Sequence, residues 1–156
     1  FHSIYSDDYS SFHNEVKELI KILDLNDLIK LNTNYFSDEE TLNLLAKHDL
    51  IIFPYQDTKE SSSAAVRYGL ATGRPVLVTP LDVFQDVTSL VNFSSGISPD
   101  DLATSIRDWY ESSHDVKDQD AINERFRVIK ERSFENLGNR LSSILLGLYL
   151  SKKDVN

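Results

Sequence analysis

The sequence predicts an α/β fold with a mostly parallel sheet, and three observations predict it. Short apolar runs alternate with segments of helical periodicity. The runs Leu50-Ile51-Ile52-Phe53 and Val76-Leu77-Val78 are apolar on both faces, as strands covered by helices on two sides must be. The helical segments between runs are ten or so residues long, which suits crossovers in a right-handed, parallel arrangement rather than hairpins. The chain of 156 residues is expected to form a single domain over 1–156, with 121–150 as a C-terminal helical region.

The elements follow in order. His2–Tyr5 reads as a short β-like segment. Ser10 and Ser11 offer N-caps to a helix carrying Phe12, Val16, Leu19, Ile20 and Leu23 on one face. Ile29–Leu31 is a strand candidate. Ser37, with Glu40 three positions on, reads as a capping box, and Leu42, Leu45 and Ala46 form the apolar stripe of the helix it opens. The strand Leu50–Phe53 stops at Pro54. A loop over Tyr55–Lys59 leads to Glu60-Ser61-Ser62-Ser63 and an alanine-rich helix through Ala71, with the serines expected in its first turn. Gly73 stands where a residue just past a helix C-cap belongs.

Pro75 then introduces the strand Val76–Val78. A loop follows with Pro80, Phe84 and Asp86, the last expected to cap a short helix. Val91–Phe93 is expected as an edge strand. Ser98-Pro99-Asp100-Asp101 signals a helix start, and Leu102, Ile106 and Trp109 share its face. Asp115–Asp120 reads as a polar linker. Beyond it a long helical region runs from Ala121, with a break or bend expected at Gly138.

Composition narrows the function. Sixteen basic against 25 acidic residues leave a net charge of −9, which gives no overall attraction to nucleic acid or anionic lipid. The acidity is uneven, since residues 121–156 carry seven basic and four acidic side chains. The absence of cysteine rules out disulfides and thiolate chemistry and fits a reducing compartment. His2, His13, His48 and His114 show no metal-ligand spacing. No apolar stretch approaches the length of a membrane span. The chain opens at Phe1 and contains no Met, from which a piece of a longer protein is expected.

The chemistry concentrates after Phe53. Ligands of parallel α/β sheets bind outside the carboxyl ends of the strands, which selects the loops after Leu31, Phe53 and Val78. The first amides of a helix lack intrahelical acceptors and carry partial positive charge. Small side chains at Ser61, Ser62, Ser63 and Ala64 let an anion approach those amides, so the turn is a phosphate seat or only a cap. Glu60 beside it suits a ligand that also carries hydroxyls, which a carboxylate accepts strongly. Phosphate with hydroxyls means a sugar phosphate or a nucleotide sugar.

The stretch Asp49–Tyr55, then Glu60-Ser61-Ser62-Ser63-Ala64-Ala65-Val66-Arg67, then Gly69-Leu70-Ala71-Thr72-Gly73-Arg74-Pro75-Val76 resembles the donor-binding domain of family 4 glycosyltransferases. Tyr35–Glu40 resembles that family's base-side loop, and Phe134–Leu145 its terminal helix. The resemblance implies a Rossmann-like three-layer domain, the C-terminal half of a retaining GT-B enzyme whose first βα unit and acceptor domain precede Phe1. It implies Glu60 as the first Glu of a Glu-x7-Glu motif, contacting the transferred sugar as the catalytic residue. The amides of Ser62, Ser63 and Ala64 would hold the distal phosphate of a UDP- or GDP-linked donor. Tyr68 stands where the ribose-binding Glu is usual, and Asn34 where Gly is usual beside Tyr35.

Around these, Lys59 reaches toward a phosphate or stays solvated, Tyr55 stacks on the sugar or covers the strand end, and Thr79 could line the crevice. Arg67 is expected to ion-pair on the helix face. The implied chemistry is stabilisation of the departing phosphate. It needs no cofactor and no metal. The implied partners are a nucleotide sugar, the acceptor domain, and a saccharide or lipid-linked acceptor in bacterial polysaccharide or glycoconjugate assembly, with no nucleic acid. The implied location is cytoplasmic, including the periphery of the inner membrane face. The competing expectation is a non-catalytic α/β module, either a degenerate sugar-nucleotide binder or a protein-interaction domain.

Overall fold

The computed structural model describes residues 7–112 and 119–153. Their contacts divide them into two compact units, one within Phe1–Phe36 and one within Ser37–Asn156. The segment His2–Tyr5 lies outside the described residues, as does most of the expected linker.

The first unit holds one helix, α1, over Asp7–Ile22. It starts earlier than the serines predict. Ser11 lies inside the helix, its hydroxyl donating to Glu15 Oε1 at 3.1 Å. Ile29–Leu31 is not a strand. The Ile29 amide is spent on the Leu25 carbonyl at 2.9 Å, and a segment with no neighbouring strand among the described residues has no ladder to join.

The second unit is a mixed α/β structure around a small open sheet. Helix α2, Asp38–Leu45, begins at the predicted capping box. The Glu40 amide donates to Ser37 Oγ at 3.3 Å, and the Ser37 amide donates back to Glu40 Oε2 at 2.8 Å. The Ser37 amide and the Ser37 hydroxyl both donate to Glu40 Oε2, and these two hydrogen bonds hold the Glu40 carboxyl below its ordinary pKa. Leu42, Leu45 and Ala46 share the inner face and are half-buried. Strand β1, Ile51–Phe53, pairs in parallel with β2, Val76–Val78, and β2 pairs in parallel with β3, Asn92–Phe93. The order β1-β2-β3 places the fully buried β2 in the middle and the exposed β3 at an edge, as the apolar runs predict.

Helix α3, Ala64–Ala71, connects β1 to β2. A Cβ at Gly69 would stand 3.0 Å from Phe53 Cε2 and 3.3 Å from Val76 Cγ2, so this glycine lets α3 lie close against both strands. Gly73 ends the helix at φ +70°, its amide donating to the Leu70 carbonyl, as the sequence predicts. A 3-10 helix, Asp82–Val87, follows β2 and inserts Val83, Phe84 and Val87 into the core with Val66, Leu70, Val76 and Val78. Full burial of a side chain the size of Phe84 is worth about 1.5–3 kcal/mol.

Helix α4, Pro99–Ser112, starts at the predicted signal. Ser98 Oγ accepts from the Asp101 amide, and Asp101 Oδ2 accepts from Ser98. Two helices then fill the C-terminal region: α5, Gln119–Glu131, and α6, Phe134–Lys153. The break falls at Arg132-Ser133 rather than at Gly138. Ser133 accepts the Asn136 amide and so caps α6, whereas Gly138 continues a regular helix. Gln119 and Asp120, expected in the linker, open α5.

Candidate functional site

Because the three strands run parallel, Phe53, Val78 and Phe93 bring the segments that follow them to one edge of the sheet. Those segments are stitched together there. Thr79 Oγ1 donates to the Tyr55 carbonyl at 2.6 Å, Gln56 Nε2 to the Ile97 carbonyl at 3.5 Å, and the Ser94 amide to the Val78 carbonyl at 2.8 Å. The loop after β3 was not among those the sequence selects. Its signal was the edge-strand run Val91–Phe93, whose carboxyl end must lie beside the other two.

Helix α3 starts three residues later than expected. The serines are therefore not its first turn. Ser61 and Ser62 form an exposed bend, and Ser63 is the N-cap, with φ −92° and ψ 119°. The reason is side-chain chemistry: Ser63 Oγ accepts the Val66 amide at 3.2 Å, a role that requires extended backbone at the cap. Ser63 is only 1% exposed, so the structure closes the middle of the predicted seat. The amides of Ser62, Ala64 and Ala65 find no acceptor among the described residues, and Ser62 and Ala64 are exposed. The Ser63 amide also finds no acceptor among the described residues, but this residue is buried while Ser62 and Ala64 on either side of it are exposed.

Tyr55 is half-buried and turned inward. Its hydroxyl hydrogen-bonds Ser63 Oγ at 3.1 Å, and its ring lies 5.2 Å from Phe84 and edge-on to Phe53 at 6.4 Å. It covers the strand end and is not a free stacking surface. Thr79 is completely buried and lines no crevice, its hydroxyl being committed to Tyr55. Lys59 is exposed. Glu60 is exposed as well. Its amide donates to Thr58 Oγ1 at 3.1 Å, and its carboxylate forms no ion pair among the described residues.

On α3 itself, Arg67 pairs with Asp86 and also donates to the Ser63 carbonyl, the ion-pairing role expected of it. Asp86 does not cap the 3-10 helix but lies within it, and its carbonyl accepts from Arg132 at 2.9 Å. Tyr68 donates its hydroxyl to Asp38 Oδ1 at 2.8 Å and so ties α3 to the start of α2. Asn34 and Tyr35 belong to the first unit. The Asn34 amide turns on Asn32 Oδ1, and the Tyr35 ring is exposed.

Among the described residues no cluster of His, Asp or Glu is suited to a metal ion, and no helix is long and apolar enough to cross a membrane. The edge thus presents a carboxylate with no ion pair among the described residues, the acceptor-less amides of the exposed residues Ser62 and Ala64, and small side chains, an arrangement able to bind an anion that carries a hydroxylated group. Comparison of the chain with protein-family models, with curated proteins and with solved structures finds no match.

Proposed function

We propose that this chain is the donor-binding part of a retaining glycosyltransferase, a Rossmann-like half of a GT-B enzyme that takes a nucleotide-diphosphate sugar. One observation carries the reading. The exposed carboxylate of Glu60, free of any ion pair among the described residues, stands four residues before the open Ala64 amide at the carboxyl edge of a parallel sheet. In this reading the amides of Ser62 and Ala64 take the distal phosphate and Glu60 takes a sugar hydroxyl. Ser63 positions both through its cap. Helix-terminal amides contribute about 0.3–2 kcal/mol to an anion contact. That is far below the roughly 8 kcal/mol or more of an enzymatic acceleration. The remaining stabilisation would come from basic groups and an acceptor domain beyond this chain.

The test is ligand-observed NMR with UDP-, GDP- and ADP-sugars and the bare nucleotides. Ala64→Pro removes one donor at the first helical position, where proline is tolerated, after a residue whose ψ of 119° suits a following proline. It is expected to weaken binding of every nucleotide while leaving the fold intact. Glu60→Ala is expected to weaken the nucleotide sugars more than the bare nucleotides. Equal binding by wild type and Ala64→Pro, or no binding of any nucleotide, would overturn the reading.

A second reading, a non-catalytic α/β module, is favoured by Tyr68. At the position where ribose binding would call for a second carboxylate, its hydroxyl instead joins α3 to α2. A protein that binds nucleotides equally with and without Glu60 would fit this alternative.

A further inference from the structure

The guanidinium of Arg67 sits against the field of its own helix. The side chain bends back toward the N-terminus of α3, where Nη1 donates to the Ser63 carbonyl and Nη2 to Asp86 Oδ2. A cation is disfavoured at that end, because the helix dipole is already positive there. Helices α2 and α4 place acids in their first turns, Asp38, Glu39 and Glu40 in one and Asp100 and Asp101 in the other, whereas α3 has none. Stability does not account for the arrangement. The paired side chains are 47% and 42% exposed, and an ion pair so open to water contributes little to folding.

The peptide that Arg67 grips is the one that ends in the Ala64 amide. Across this trans peptide the Ser63 carbonyl and the Ala64 N–H lie in one plane and point opposite ways. The guanidinium on the oxygen therefore leaves the N–H directed away from it, and Ala64 is exposed, with no acceptor for its amide among the described residues. A charged donor on the oxygen draws electron density toward it and makes the N–H at the other end a stronger donor. Asp86 acts in the opposite sense, since its carboxylate offsets part of the guanidinium's charge. Arg132 Nη1 donates to the Asp86 carbonyl at 2.9 Å and holds that residue beside Arg67.

We infer that the Arg67–Asp86 pair sets the anion affinity of the Ala64 amide: Arg67 is a positioning residue that aims and strengthens this donor, and Asp86 holds the effect in check. The inference rests on the donor-site reading above for what the amide takes, the distal phosphate of a diphosphate. Arg67 acts through the Ser63–Ala64 peptide and needs no contact with the ligand. The two members of the pair pull the amide in opposite directions, so losing one is not equivalent to losing the other. That separates this role from a plain ion pair, which either loss breaks alike.

Hydrogen exchange of the Ala64 amide, followed by NMR on the 156-residue chain, tests this without any ligand. Base-catalysed exchange removes the amide proton and leaves negative charge on the carbonyl oxygen, where the guanidinium sits. Exchange is expected to slow about fivefold in Arg67→Gln and to quicken in Asp86→Asn, the scale of an exposed charge interaction. Arg67→Lys keeps the charge but not the fork, and is expected to fall between wild type and Arg67→Gln. Inorganic pyrophosphate, titrated against the same amide, is expected to bind in the same order, most tightly to Asp86→Asn. Circular dichroism checks that each variant keeps its helices. Exchange or pyrophosphate affinity that moves the same way in Arg67→Gln and Asp86→Asn, or moves in neither, would overturn the proposal. Nucleotides that fail to bind while both orders hold would overturn the donor-site reading alone.

Discussion

Tyr55 and Ser63 stand eight residues apart at opposite ends of the loop after β1, and their hydroxyls are hydrogen-bonded at 3.1 Å. The same serine oxygen caps α3, and the same tyrosine offers its carbonyl to buried Thr79. The loop that carries Glu60 is therefore held at both ends by side chains that the core encloses. Tyr55→Phe keeps the ring against Phe84 and removes only the hydroxyl. A loss of about 0.5–1.5 kcal/mol is expected in urea unfolding, the worth of one hydrogen bond. An unchanged midpoint would show that the bond contributes nothing.

Neighbouring serines should behave differently. Ser63→Ala deletes a helix cap and orphans the Tyr55 hydroxyl, and is expected to destabilise the fold by about 1–2 kcal/mol. Ser62→Ala, on the exposed bend, is expected to stay within about 0.5 kcal/mol of wild type. Thermal and chemical denaturation of the pair would reveal whether the cap lies where the structure puts it.

Gly73 is held at φ +70°, and a Cβ there would stand 2.5 Å from Phe126 Cζ. Gly73→Ala therefore meets both backbone strain and a ring on α5. Left-handed strain alone costs about 1–2 kcal/mol, and at least that loss is expected. Gly73→Asn, which tolerates the backbone but not the ring, is expected to recover only part of it.

The capping box of α2 should report on pH. Glu40 has a folded pKa below its unfolded one because two hydrogen bonds from Ser37 favour the carboxylate. Its contribution is therefore fully present above the unfolded pKa and fades as pH falls through the lower folded value. Glu40→Gln is expected to flatten the acid limb of the stability–pH curve, and an unaltered limb would remove this residue from it.

Much of this protein was legible from residue order alone. The parallel strands, the Ser37–Glu40 box, the Ser98-Pro99 helix start and the left-handed turn at Gly73 are local or periodic signals, set by neighbours within a few positions. The errors arose where a local signal had two outcomes. Ser61, Ser62 and Ser63 could each have capped α3. Only Ser63 has Tyr55 across from it, so the core selected the third and buried it. Thr79 stood at a strand end as a crevice residue should, until the Tyr55 carbonyl claimed its hydroxyl. Ile29–Leu31 had the composition of a strand but no ladder to enter among the described residues. The break between α5 and α6 likewise chose a serine that could cap over a glycine that could not. Local chemistry thus determined which elements form and where most of them begin and end. Tertiary packing decided which polar groups remain open to a ligand, because a hydroxyl or amide is free only if no partner distant in sequence reaches it first.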